Sequence, residues 1–190
     1  MMVLDKKSTR KMLKDRLKDL TDRMVYENSA LVCEAVVGLD VFKQAKSVMM
    51  FLSLPNEIET SPLMLAAFKA GKTVTVPKCD WDNHTMKPVV IETLNCKVDY
   101  GPFGVRNVVC DNAVAIAEVD LMIVPGLGFD NQGQRLGRGA GFYDRFMSEP
   151  VLSATKCGVG FGFQMIDQIP VDAHDVKLDM LVTDEKVYQF

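Results

Sequence analysis

The chain contains no cysteine pair at CxxC spacing and only two histidines, His84 and His174, in 190 residues. The usual zinc-site and dithiol signatures are therefore missing. Its five cysteines (Cys33, Cys79, Cys96, Cys110 and Cys157) are odd in number and scattered, the pattern of reduced, half-buried thiols in a cytosolic protein. No apolar run approaches the ~20 residues of a membrane helix, and the start MMVLDKKSTRKM lacks the apolar stretch of a signal peptide. A cytoplasmic protein is expected, with no membrane partner. A net charge of −3 exerts no general pull on nucleic acid or an anionic surface, so no nucleic-acid partner is expected either. Internal repeats, low-complexity tracts and convincing linkers are absent. So is any Ser/His/Asp or Cys/His set for nucleophilic catalysis.

What the chain does have is concentrated between Val124 and Phe146, where six of its 13 glycines and three arginines share one short run. Glycine lets backbone N–H groups approach an anion with no Cβ in the way, and arginine adds planar forked donors. A helix starting near Gly141 would aim its positive end at the same point. These features predict a cradle for a polyphosphorylated ligand. The run is no Walker A loop, because Gly128 and Gly133 are followed by Gln134 and Arg135 where Lys and Ser/Thr are required. Nor is it a dinucleotide fingerprint, since Gly137, Gly139 and Gly141 alternate. A flexible linker would not interleave Leu136, Phe142 and Tyr143 with arginine.

Periodicity supplies the frame. Leu13, Leu17, Leu20 and Met24 predict one helix over about 7–27, and a second is predicted over 29–37. Ser47 to Leu52 reads as a buried strand. Ser61 as N-cap, Pro62 at the first helical position and Gly71 past the last turn delimit a third helix. Strands are predicted at 73–76, 87–92, 121–124 and 156–161, with a helix at 139–147 between the last two. Strands alternating with helices imply an α/β fold, a single domain over 1–190: a mostly parallel sheet with helices on both faces, a Rossmann-like three-layer sandwich. The polar segments 53–60 and 126–143 each begin where a strand stops, so both open onto one crevice at the carboxyl ends of the strands. The stretch 95–119 is the least readable, its Tyr100-to-Gly104 cluster marking a tight loop near the site or a plain turn.

Pro125-Gly-Leu-Gly-Phe-Asp130, followed by Arg135-Leu-Gly-Arg-Gly-Ala-Gly-Phe-Tyr-Asp144, resembles the hallmark of the 5-formyltetrahydrofolate cyclo-ligases, also called 5,10-methenyltetrahydrofolate synthetases. Three further blocks match in order: Lys6 to Arg10, Phe51 to Thr60 and His174 to Asp179. The departures are Phe142 where tyrosine is usual and Thr9 where leucine is common. The resemblance spans nearly the whole chain and implies ATP-dependent closure of 5-formyltetrahydrofolate to 5,10-methenyltetrahydrofolate, with Mg²⁺ as cofactor and a monomeric enzyme.

The resemblance also implies roles. ATP contacts fall on Lys6, Lys7, Ser8, Thr9, Arg10, Arg135, Leu136, Gly137, Arg138, Gly139, Ala140, Gly141, Phe142 and Tyr143. Lys6 and Arg138 are the catalytic charges. Folate contacts fall on Arg10, Leu52, Glu57, Arg138, Gly139, Ala140, Gly141 and Phe142, with Glu57 accepting the N–H edge of the pterin and Glu59 unassigned. Magnesium falls to Asp144 and Asp175, with Asp179 behind them. His84 and His174 read as surface or hydrogen-bonding histidines. Without the resemblance, the N-terminal basic cluster would read as a solvated helix face and Glu57/Glu59 as loop solubility. Two rival classes stay open: a sugar-phosphate isomerase or CoA-transferase relative that needs no ATP, and a non-catalytic nucleotide- or folate-binding module.

Overall fold

The computed structural model describes residues 5–190; the first four residues of the MMVLDKKSTRKM stretch lie outside the described residues. Asp5 starts α1 (Lys6–Leu17) by accepting the backbone N–H groups of Lys7 and Ser8. The single helix predicted over 7–27 is broken. Thr21 caps a new one, α2 (Asp22–Gly38), by accepting the Met24 N–H at 3.2 Å, and this α2 absorbs the helix predicted over 29–37. Leu13 and Leu17 are buried and Leu20 packs against the core, but Met24 lies past the break and is 43% exposed. An apolar stripe carries no mark of where a side-chain cap interrupts it.

Short α3 (Asp40–Gln44) leads to β1 (Ser47–Met49), half the predicted length, and then α4 (Ser61–Lys69). Thr60 holds the N-cap position one residue before the predicted Ser61, and Gly71 follows the helix at φ 69° as expected. Next come β2 (Thr73–Asp80), β3 (Thr85–Val90), a small hairpin of β4 (Val98–Tyr100) and β5 (Arg106–Val108), and β6 (Leu121–Pro125). The glycine-rich run forms β7 (Gly128–Phe129), β8 (Arg135–Leu136) and α5 (Phe142–Met147), and the chain ends in β9 (Thr155–Gly160), β10 (Met180–Thr183) and β11 (Val187–Gln189).

The main sheet has the order β11-β10-β9-β6-β1-β2-β3. Its five inner strands are parallel, and each edge is an antiparallel hairpin partner. Alternation sorts the side chains into two layers. Val48, Leu121 and Ile123 face the core under α1 to α4, while Met49, Met122 and Val124 face the layer holding Phe142 and Phe146 of α5. The predicted mostly parallel sheet with helices on both faces is what forms. From β1 the chain continues to β2 on one side and returns at β6 on the other, so the loops leaving β1 and β6 diverge from a topological switch point. No helix among the described residues is long and apolar enough to cross a membrane.

Candidate active site

Those two loops meet. Glu57, on the loop after β1, accepts Arg138 Nε at 2.9 Å and Nη2 at 2.7 Å through one carboxylate oxygen. Its other oxygen accepts the Leu54 N–H at 3.0 Å, which fixes the rotamer. Arg138 sits on the loop between β8 and α5, where Gly139 (φ 116°) and Gly141 (φ 73°) take conformations that L side chains rarely adopt. Among the described residues, none of the backbone N–H groups from Gly137 to Asp144 donates to another protein group. A run of oriented, unpaired amides beside three arginines is an anion site in electrostatic terms.

Helix α1 closes the same site from another side. Arg10 Nε donates to the Gly137 carbonyl at 2.9 Å and its guanidinium lies against Gly139. One turn earlier, Lys6 is ion-paired with Asp172 (2.7 Å) and Asp175. Burial alone would lower the Lys6 ammonium, but its hydrogen bonds to those two carboxylates outweigh that and hold it above the ordinary lysine range. Lys6 and Arg10 thus share the face expected of an i, i+4 pair. Their neighbours are turned elsewhere. Lys7 and Ser8 are exposed, Ser8 Oγ bonds Asp5, and the buried Thr9 donates its hydroxyl to the Asp5 carbonyl at 2.8 Å.

Arg135 is buried rather than poised at the surface, with its side chain 3% exposed. It donates to both oxygens of Asp144 at 3.0 Å and to the Pro125 carbonyl at 3.2 Å, and its guanidinium stacks on Tyr143 at 5.5 Å. Its Nε is buried without a partner among the described residues. Asp144 also accepts the Val176 N–H at 3.4 Å, which ties the start of α5 to the C-terminal turn bearing Asp175. Burial first, then the neighbouring Cys79 and Glu57, push the Tyr143 hydroxyl above the ordinary phenol range. Burial also raises the Cys79 thiol to about 11, so it is a neutral wall rather than a nucleophile. Leu52 is half-buried against the core; Leu136 is fully buried, Phe142 nearly so, and Ala140 lies partly buried behind them.

Glu59, left unassigned by the sequence, and Asp179 both have structural work. Glu59 accepts the Ser61 N–H at 2.9 Å and its Oγ at 2.6 Å, holding the first turn of α4. Asp179, expected behind the metal, binds the Lys156 N–H at 2.7 Å where β9 and β10 begin. That is the opposite end of the sheet from the loops, so Asp179 is no partner of Asp144 or Asp175. His174 instead groups with Asp172 and Asp175, their ligand atoms within 4.8 Å of one another.

Sequence reading missed several supports. Trp81 meets Phe142 edge-on at 4.8 Å, with its buried Nε1 unpartnered among the described residues. Arg106 donates to the Ser53 carbonyl at 2.9 Å, bracing the loop that carries Glu57. Gln164 donates to the Gly126 and Leu127 carbonyls at 2.9 and 3.0 Å and accepts the Phe161 N–H at 2.7 Å. Arg145 ties down the Ala140 carbonyl at 2.9 Å. No local motif marks these: the Trp81, Arg106 and Gln164–Gly126/Leu127 contacts join segments far apart in sequence, and the short-range bonds of Arg145 and Gln164 depend on how their loops turn.

A profile of the 5-formyltetrahydrofolate cyclo-ligase family matches residues 3–184. The 5-formyltetrahydrofolate cyclo-ligase of Mus musculus is 30% identical over 191 residues, covering 95% of this chain and 94% of its own. That of Escherichia coli K12 is 28% identical, covering 94% of this chain and all of its own (100%). The solved structure of Aquifex aeolicus 5,10-methenyltetrahydrofolate synthetase superposes with a TM-score of 0.84 at 29% identity, over 97% of this chain and 92% of that one. With the profile running almost end to end and the motif glycines and charges gathered at one switch point, the chain belongs to the 5-formyltetrahydrofolate cyclo-ligase family.

Proposed function

We propose that the protein uses MgATP to convert 5-formyltetrahydrofolate to 5,10-methenyltetrahydrofolate, releasing ADP and phosphate. The observation that carries this reading is the Glu57–Arg138 ion pair. It joins the carboxylate suited to a pterin edge to the arginine of the anion loop, so the two substrates would meet at one point. The formyl group on N5 is an amide, too weak an electrophile for N10 to attack and expel oxygen. Attack of the formyl oxygen on the γ-phosphate makes that oxygen a phosphate leaving group. N10 then closes the five-membered ring as phosphate departs. The protein's contribution is positioning and charge neutralisation.

In this reading the backbone of Gly137 to Gly141 and the charges of Lys6, Arg10 and Arg138 hold the phosphates. Arg135 acts from beneath the loop, fixing Asp144 and the ring of Tyr143. Arg138 leaves Glu57 for phosphate oxygens, and Glu57 turns its freed oxygen to the pterin beside Leu52 and Phe142. Asp144 and Asp175 suit a hard cation: a carboxylate has about four acceptor positions, and Asp144 uses three, two for Arg135 and one for the Val176 N–H. Mg²⁺ held there would neutralise phosphate charge. The working unit in this reading is a monomer.

Three variants test the assignment. Glu57→Gln replaces a two-oxygen acceptor by an amide, so one pterin N–H loses its partner. The folate dissociation constant should rise roughly 5- to 150-fold with ATP affinity little changed. Glu59→Gln should leave folate affinity alone, because its carboxylate is spent on Ser61. Calorimetry that finds the reverse pattern would remove Glu57 from the pterin site. Asp144→Asn should raise the Mg²⁺ concentration for half-maximal turnover. It should also cost about 3 kcal/mol of stability by breaking a buried pair. A stability loss with an unchanged magnesium titration would make Asp144 purely the anchor of Arg135.

A further inference from the structure

Cys96 and Cys110 are fourteen positions apart and share no motif, yet they flank the open end of the β4–β5 ladder and are neighbours there. Its register pairs Val98 with Val108, Asp99 with Asn107 and Tyr100 with Arg106. Pairing runs past both strand ends, since the Gly101 N–H donates to the Val105 carbonyl at 2.8 Å and the Val109 N–H to the Lys97 carbonyl at 3.0 Å. The strands themselves end at Val98 and Val108 and the chain bends at Val109; carried one residue past the Lys97–Val109 bond, the same register sets Cys96 against Cys110. Hydrogen-bonded and non-hydrogen-bonded pairs alternate along an antiparallel ladder. Lys97–Val109 is of the first kind, so Cys96–Cys110 falls, like Val98–Val108, on the narrow second kind. There the Cα atoms approach to ~4.5 Å, inside the ~4.4–6.8 Å that a disulfide spans.

The side chains also share a face. Cys96, Val98 and Cys110 pack against the core beside buried Val108, while Lys97 and Val109 between them point to solvent. Both thiols are free and half-buried, reachable by a small oxidant. Burial first, then the neighbouring Cys110, holds the Cys96 thiol above its ordinary range.

We propose that Cys96 and Cys110 are a reversible dithiol–disulfide pair that closes the base of the β4–β5 hairpin when the protein meets a disulfide oxidant such as oxidised glutathione. One thiolate attacks the oxidant and releases one reduced glutathione; the second thiolate attacks the mixed disulfide and releases the other. The protein gives up two electrons and two protons, and the two reduced thiols carry them away. The closed hairpin is not isolated from its surroundings. Asn107 brackets Cys79 with two hydrogen bonds of 2.8 Å, and Arg106 reaches Ser53 on the loop of Glu57. Intracellular disulfides of this sort are typically transient and redox-sensing.

The test is a non-reducing peptide map of wild-type protein equilibrated with oxidised glutathione. The expected product is a Cys96–Cys110 cross-link that dithiothreitol removes, forming faster as pH rises because the thiolate is the attacking species. Closing this loop should raise the midpoint of thermal unfolding by about 5 °C, with no rise in Cys96→Ser or Cys110→Ser protein. Stable mixed disulfides on the two cysteines, a bond from either to Cys79, or an intermolecular bond would each overturn the proposal. The map needs only the wild-type chain, so a variant that fails to fold leaves the test intact.

Discussion

Arg138→Ala should lower turnover by on the order of a hundredfold or more, the usual cost of losing one preorganised donor aimed at developing charge. The side chain is 38% exposed and, among the described residues, its only ion-pair partner is Glu57, so the fold should survive and the circular dichroism spectrum should match wild type. A second effect follows from the pair itself. In the proposed cycle Arg138 occupies an acceptor oxygen of Glu57 until phosphates draw it away, so nucleotide should strengthen folate binding in wild type, and that coupling should vanish in Arg138→Ala. A folded Arg138→Ala enzyme with wild-type turnover would refute the anion-loop assignment.

The largest stability effect is expected at a residue outside the chemistry. Asp130, the last residue of the Pro125-to-Asp130 motif, is 1% exposed. One of its oxygens accepts the N–H groups of Gln132 (2.8 Å) and Gln134 (3.1 Å), and the other accepts that of Ile169 (2.9 Å). The carboxylate thereby shapes the turn joining β7 to β8 and fastens it to the segment after β9, which sets where the glycine loop begins. Asp130→Ala leaves three amide donors without their acceptor at once and should cost about 4 kcal/mol. Urea unfolding measures it directly. A loss below about 1 kcal/mol would mean that the turn holds its shape without the carboxylate.

Asp130 also shows what a linear reading sees and misses. Glycines, arginines and strand ends are local features, so the glycine–arginine loop and its place after a parallel strand were legible, as was its meeting with the loop of Glu57. Long-range partners were not. That Lys6 would lie between Asp172 and Asp175, or Arg135 beneath the loop on Asp144, depends on a strand order that periodicity does not encode. Asp179 was misplaced for the same reason: it stands near Asp175 in sequence, but β10 carries it to the far end of the sheet. The strands at and next to the sheet edges were missed or misread because short β10 and β11 offer too few residues to show a period, and β2 runs on through Pro77 beside the edge strand β3. The break between α1 and α2 hinged on one threonine hydroxyl, invisible to a count of leucines.

The central claim is that one site couples phosphoryl transfer to closure of the folate ring. The most direct test incubates purified protein with MgATP and follows ADP release beside formation of 5,10-methenyltetrahydrofolate, with and without 5-formyltetrahydrofolate. One ADP should appear for each ring closed, with none above background when the folate is omitted. Ring closure without ATP, or ADP release indifferent to the folate, would contradict the account.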